Sequence, residues 1–304
     1  MIPIQFKGNE TDVVQQLYND LINEKLKNKY KSEINEINDW CIKNIIIDGK
    51  SLTFEDVIKA DFGTLGNIVE ILNNKHSTPP PLHKTFIVDY LYNQKLNEKS
   101  YRLKFVDYLG VTVCPYCNRQ YISYFSNKGV KYTTADLDHF YPKSIFSLFA
   151  LSLYNFIPAC QICNQRFKKK KMKKILYPFK EGFDNNAKFG LNIHDVNSFY
   201  GKSDNFDLML EVDDNSLIKE EIINNNEMFH LDSLYQHHKP YVQELLMKKN
   251  LIYTNSYFDM MSKTFKKLNL SKEQLDIFLY GYSFDDDINK DKILSKLTKD
   301  ILDK

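Results

Sequence analysis

Cys114-Pro-Tyr-Cys117, Ala135-Asp-Leu-Asp-His139, Asn155-Phe-Ile-Pro158 and Cys160-Gln-Ile-Cys163-Asn164 follow one another in a single stretch that ends in a lysine-rich tail at Lys174. Each Cys-x-x-Cys pair presents two thiolates from one tight knuckle. Two such knuckles brought together supply the four-sulfur tetrahedral cage that structural zinc prefers. A lone Cys-x-x-Cys also suits a redox dithiol, but two pairs beside a basic segment favour zinc. The pairs are too far apart for a simple finger, so the cage is expected to close the base of a small domain and leave the Asp-His segment free for chemistry.

Downstream, Arg166, Lys168, Lys169, Lys170, Lys171, Lys173 and Lys174 form a run with no acid among them, in a chain whose formal net charge is only +2. The positive charge is therefore local, set against acids elsewhere such as Asp285, Asp286 and Asp287. No proline or glycine interrupts the run after Pro158, which predicts a helix from about Cys160 to Lys174, ended by Tyr177-Pro178-Phe179. Upstream, residues 119–126 and 130–138 are rich in β-formers and flank Asn127-Lys128-Gly129. They predict a hairpin that leads into Asp138-His139.

Further out the chain reads as helical. In residues 10–108, Val14, Leu17, Leu21 and Ile22 recur at helical spacing, Thr53 with Asp56 resembles a capping box, and Pro79-Pro80-Pro81 break the series before a run holding Phe86, Ile87, Tyr90 and Leu91. The C-terminal third begins with an expected hairpin, Leu208–Val212 with Leu217–Ile223 around Asp213-Asp214-Asn215. Four apolar stripes follow. Leu234, Tyr241, Val242, Leu245 and Leu246 make one, in which Pro240 either kinks a helix or starts a new one. Phe258, Met261, Phe265 and Leu268 make the second, Ser271 with Gln274 caps the third, and Ile293, Leu294, Leu297 and Ile301 make the fourth. These stripes read as packed helical core or partner-facing helix.

Composition sets limits. At 304 residues the chain can bury one large core or two modest ones. Four of its five cysteines sit in the knuckles, a pattern suited to a reducing compartment, and the fifth, Cys41 beside Trp40, reads as core. Met1-Ile-Pro-Ile-Gln-Phe6 has no basic region followed by an apolar run, and no stretch approaches the ~18 apolar residues of a membrane span. A cytoplasmic protein with no membrane partner is expected. His76, His83, His194, His230, His237 and His238 follow no ligand spacing.

Taken together, the motifs of residues 114–174 resemble the HNH endonucleases, specifically the subset with a four-cysteine zinc knuckle. The resemblance implies an α+β chain, mostly helical, around a small central ββα-metal unit with a structural zinc. That places a helical region at 1–108, the nuclease unit with Cys114, Cys117, Cys160 and Cys163 on zinc at 109–180, and a hairpin plus helices for partner docking at 181–304. Where many members carry a final histidine after the second knuckle, this chain has Asn164, a substitution that also occurs in active members. Asn155 resembles the family's central asparagine, which ties the loop before the helix to the strand bearing the base.

The residue chemistry stands beside the resemblance. Phosphodiester hydrolysis needs a base to deprotonate water, a Lewis acid on the scissile phosphate and stabilisation of the leaving oxygen. His139 can be the base, as a neutral imidazole near pH 7. The Asp138 carboxylate and Asn164 amide oxygen make an incomplete oxygen shell suited to Mg²⁺ or Mn²⁺. Lys168, four residues after Asn164 and so on the same helical face, is placed to meet a phosphate, and Lys169, Lys170 and Lys171 extend the stripe. Asp136 either supports the site or faces water. The expected target is nucleic acid, DNA before RNA.

A looser resemblance, carried by Asn155–Pro158 through Tyr177-Pro178-Phe179, Phe183 and Phe189 with Leu294-Ser-Lys-Leu297, is to the HNH subunits of Septu-type anti-phage systems. It implies an ABC-type ATPase partner subunit. Two other readings stand beside it: a zinc-built nucleic-acid-binding subunit that does not cut, and a stand-alone restriction-type HNH nuclease.

Overall fold

The computed structural model describes residues 1–74, 79–94, 99–253, 256, 257, 260, 261, 263, 271–283 and 291–302. Helices combine with small two-stranded antiparallel sheets, an α+β chain, and the residues fall into two compact units.

The first unit comprises Ile4–Val111 and Ile122–Met172. Its N-terminal part is helical because apolar residues repeat on one face and short polar residues cap the ends. The Glu10–Leu21 helix buries Val13, Val14, Leu17, Tyr18 and Leu21, and its Asn9 side chain accepts the Asp12 N–H. The Phe54–Lys59 helix starts in the expected capping box, with Thr53 and Asp56 bonded reciprocally. Cys41, on the Lys31–Asn44 helix, is fully buried as core, and burial pushes its thiol up to about 12.

The Tyr124–Asn127 strand pairs with Val130–Thr133 across Lys128-Gly129, both in the left-handed region at φ 49° and 77°. Two positive φ values make the type I′ turn whose twist matches its strands. This hairpin ends at Thr133 and does not carry Asp138-His139, as the sequence had suggested. Asp136–His139 is instead a separate strand, antiparallel to Phe156–Ala159, with Asp138 opposite Ile157 and His139 opposite Phe156. All four residues of Phe156–Ala159 are buried, so that strand shows no alternation for a sequence reading to find. A helical segment follows at Ile162–Lys168. It closes with a wide turn in which the Lys169 N–H donates to the Asn164 carbonyl, and it stops there because Lys169 takes φ 52°. The helix expected to reach Lys174 is one turn and a half shorter than that.

The second unit comprises Met1–Pro3, Thr112–Tyr121 and Lys173–Lys304. Its sheet pairs Ala187–Ile193 with Phe206–Val212, and Phe206, Leu208 and Leu210 point inward by strict alternation. The expected pairing of Leu208–Val212 with Leu217–Ile223 does not occur. Lys219–Phe229 is a helix, with Glu220 and Glu221 in its first turn and Ile222, Asn225, Met228 and Phe229 buried at helical spacing. Pro240 lies in the first turn of Lys239–Met247, where its missing N–H costs nothing, so it starts a helix. Ser271 and Gln274 form a capping box on Lys272–Tyr280, and Ser295–Leu302 buries Leu297 and Ile301. Of the stripe Phe258, Met261, Phe265 and Leu268, all but Met261 lie outside the described residues, as do Asp285, Asp286 and Asp287. Among the described residues no helix is long and apolar enough to cross a membrane.

Candidate metal centre and nucleic-acid site

The ligand sulfurs of Cys114, Cys117, Cys160 and Cys163 all lie within 4.8 Å of one another, and all four residues are buried. Zn–S bonds of about 2.3 Å place tetrahedral sulfurs ~3.8 Å apart, so this group fits a zinc ion with a small inward adjustment. It is the one group of three or more converging His, Cys, Asp or Glu ligands among the described residues. Each knuckle is locked by its own backbone: Asn118 N–H donates to the Cys114 carbonyl at 2.8 Å, and Asn164 N–H to the Cys160 carbonyl at 3.0 Å. Asn118 takes φ 51° and is held by residues distant in sequence. Its Oδ1 accepts from Ser295 Oγ at 3.2 Å and Lys296 N–H at 3.1 Å, while the Tyr235 hydroxyl donates to the Cys117 carbonyl at 2.8 Å.

His139 ends its strand in a tight setting. Its Nε2 lies 3.1 Å from the Ala150 carbonyl, which can only accept, so Nε2 carries the proton and Nδ1 the lone pair. The Tyr92 and Phe156 rings pack on the imidazole at 4.9 and 5.2 Å between centroids. Burial, with the Lys143 and Lys168 charges adding to it, pushes the ring down to about 3, so it is neutral at physiological pH. Asn155, fully buried, fastens the chain that leaves His139. Its amide donates to the Tyr141 and Phe149 carbonyls at 3.0 and 3.1 Å and accepts the Tyr141 N–H at 2.7 Å. The side chain thus spans both the strand end and the turn that supplies the Ala150 carbonyl.

Asp138 and Asn164 stand differently from the expected metal pair. The strand pleat separates Asp138 from His139, and the buried Asp138 carboxylate is paired with Lys168, Nζ to Oδ2 at 3.0 Å. The same ammonium donates to the His139 and Phe140 carbonyls at 2.7 and 3.1 Å. Asn164 turns its amide nitrogen to Asp136 Oδ2 at 3.0 Å, and Gln165 donates to the same oxygen at 2.8 Å. Asp136 is therefore a support of the helix start. As arranged, these groups do not fit Mg²⁺ or Mn²⁺, because an ammonium already fills the cation position at Asp138.

Lys168 is consequently a correction to the phosphate stripe: it is 1% exposed and serves the interior. Removing one partner of a buried pair leaves an uncompensated charge, so Lys168→Met should lower stability by ~3–5 kcal/mol. Asp138→Asn combined with Lys168→Met should recover most of that loss. Thermal unfolding of the two proteins checks this, and equal melting temperatures for Lys168→Met and wild type would refute it.

Lys169, Lys170 and Lys171 remain exposed, and with Asn164 and Gln165 they line an open surface depression. Replacing all three by glutamine should weaken nucleic-acid binding and reduce its salt slope by roughly one for each phosphate no longer neutralised. An unchanged slope in a titration at several salt concentrations would reduce the run to a solubilising face.

Sequence reading missed two residues beside His139. Lys143 places its Nζ 3.4 Å from the Tyr92 ring centroid, and burial with the Arg102 charge brings its ammonium down to about 8. Lys143 lies only four residues past His139 and was open to notice. Tyr92 comes from the Thr85–Tyr92 helix, and no local pattern connects it to the strand. No protein-family model, curated protein or solved structure matches the chain.

Proposed function

We propose that the chain hydrolyses phosphodiester bonds of nucleic acid as an HNH-type nuclease, with His139 as general base on a scaffold closed by a zinc-bound four-cysteine group. In this reading Asp136–His139 and Phe156–Ala159 are the two strands of the ββα unit and Ile162–Lys168 its helix. The state of His139 carries the proposal. A base must be held in one orientation with a lone pair toward its water, and the Nε2 proton committed to the Ala150 carbonyl leaves Nδ1 as the acceptor. Nδ1 then takes the proton from a water molecule as its oxygen bonds to phosphorus; the P–O bond to the leaving sugar oxygen breaks, and that oxygen takes a proton from solvent. Lys143, held on the Tyr92 ring, and the exposed Lys169, Lys170 and Lys171 supply positive charge for the phosphate backbone. No step is assigned to Mg²⁺ or Mn²⁺, since Asp138 and Asn164 are engaged elsewhere.

The Asp138–Lys168 pair favours a second reading, a zinc-built subunit that binds nucleic acid and leaves it intact. Purified protein incubated with plasmid DNA and with RNA, with and without Mg²⁺ or Mn²⁺, separates the two. Cleavage under any of these conditions supports the nuclease, and binding without cleavage under all of them supports the second reading. DNA is the expected substrate. An ATPase partner and an anti-phage role belong to the proposal through the looser resemblance. Failure of any ATPase to co-purify with a tagged chain from its own cells would remove them.

A further inference from the structure

In the first unit a cavity of about 460 Å³ lies between the Lys31–Asn44 and Thr85–Tyr92 helices, within the size range of small-ligand sites. Three aromatic rings, Tyr30, Phe86 and Tyr90, and three carboxylates, Glu33, Glu36 and Asp89, line it, and no lysine or arginine does. The rings pack together along one wall. Phe86 and Tyr90 stack at 5.6 Å and 10°, and Tyr30 leans against them at 5.5 and 4.6 Å with its hydroxyl bonded to that of Tyr90. Outside the cavity, the Lys29 ammonium lies 4.9 Å from the Tyr30 centroid. His83, 8% exposed, also lines the cavity, its Nε2 3.8 Å from Glu36 and its buried Nδ1 without a hydrogen-bond partner.

This lining selects among ligand classes. Three carboxylates repel an anion and give a neutral apolar molecule no reason to be preferred. The carboxylate oxygens do not converge as a metal set, since the cysteines are the group that does so among the described residues. Aromatic faces flanked by carboxylates recognise a cation with alkyl substituents, which fills an apolar cavity and still meets negative charge. We propose that this cavity binds an alkylammonium ion. The site is independent of the nuclease reading and stands or falls without it.

Equilibrium dialysis of the full chain tests the assignment with three probes: choline, putrescine and the uncharged carbon isostere of choline. At least one ammonium ion should bind saturably with one site per chain, and the isostere at least about tenfold more weakly than choline. Tyr90→Ala should abolish binding. Glu33→Gln with Asp89→Asn, two changes outside the core that keep side-chain shape, should weaken it about tenfold or more at an unchanged melting temperature. Absence of saturable binding for both cations, an isostere that binds as well as choline, or full affinity in the Glu33→Gln/Asp89→Asn protein would each overturn the proposal.

Discussion

Cys117→Ser is expected to lose the zinc and with it the folded state of the knuckles. The four cysteines are buried together with their sulfurs within 4.8 Å of one another. Four thiolates without an ion would be four uncompensated buried charges. A zinc ion held there would resolve this, and binding free energies of ~10–16 kcal/mol for comparable structural zinc sites are of the same size as the ~5–15 kcal/mol that holds a typical domain folded. Loss of one ligand therefore removes a share of stability that hydrophobic burial does not replace. Metal analysis should find one zinc per wild-type chain and less than one in Cys117→Ser, whose melting temperature should fall by tens of degrees. A wild-type protein free of zinc, or a variant that melts with it, would contradict this.

His139→Ala is expected to lower cleavage by ~10²–10⁴, the usual cost of removing a general base. Binding should persist, because the exposed lysines that meet the backbone, Lys169, Lys170 and Lys171, are untouched. The substitution also deletes a ring packed between Tyr92 and Phe156, so some stability is lost. His139→Asn, which keeps a polar donor near the Ala150 carbonyl, should fold more firmly and be as inactive. A stable, binding-competent His139→Asn that cuts at the wild-type rate would remove His139 from the chemistry.

What could be read from the residues alone was local. Capping boxes at Thr53-Asp56 and Ser271-Gln274 depend on three-residue spacing, and both are present. The cysteine knuckles depend on two-residue spacing, and their four sulfurs do converge. Pairings between distant segments were not legible. Phe156–Ala159 is buried on both faces and carries no alternation, so nothing in it names Asp136–His139 as its partner. Ala187–Ile193 loses its buried–exposed alternation after its third residue, and so Leu208–Val212 was matched to the wrong neighbour. Lys168 was misread for another reason: within a lysine run it looks like every other solvated lysine. Its burial follows from three oxygen acceptors, on Asp138, His139 and Phe140, that only the fold brings to one point. At the candidate site, motif spacing singled out His139 and Asn155 as candidates, while the position of Tyr92 against the imidazole depends on a helix packed from elsewhere in the chain.

We propose that this chain cuts nucleic acid with His139 as the base. The most direct test is the single-turnover cleavage rate of an end-labelled DNA duplex by wild type and His139→Asn, measured with each protein in saturating excess. The wild-type rate should be at least about a hundredfold above that of the variant, with matching binding isotherms. Equal rates, or no cleavage by either protein despite full binding, would contradict it.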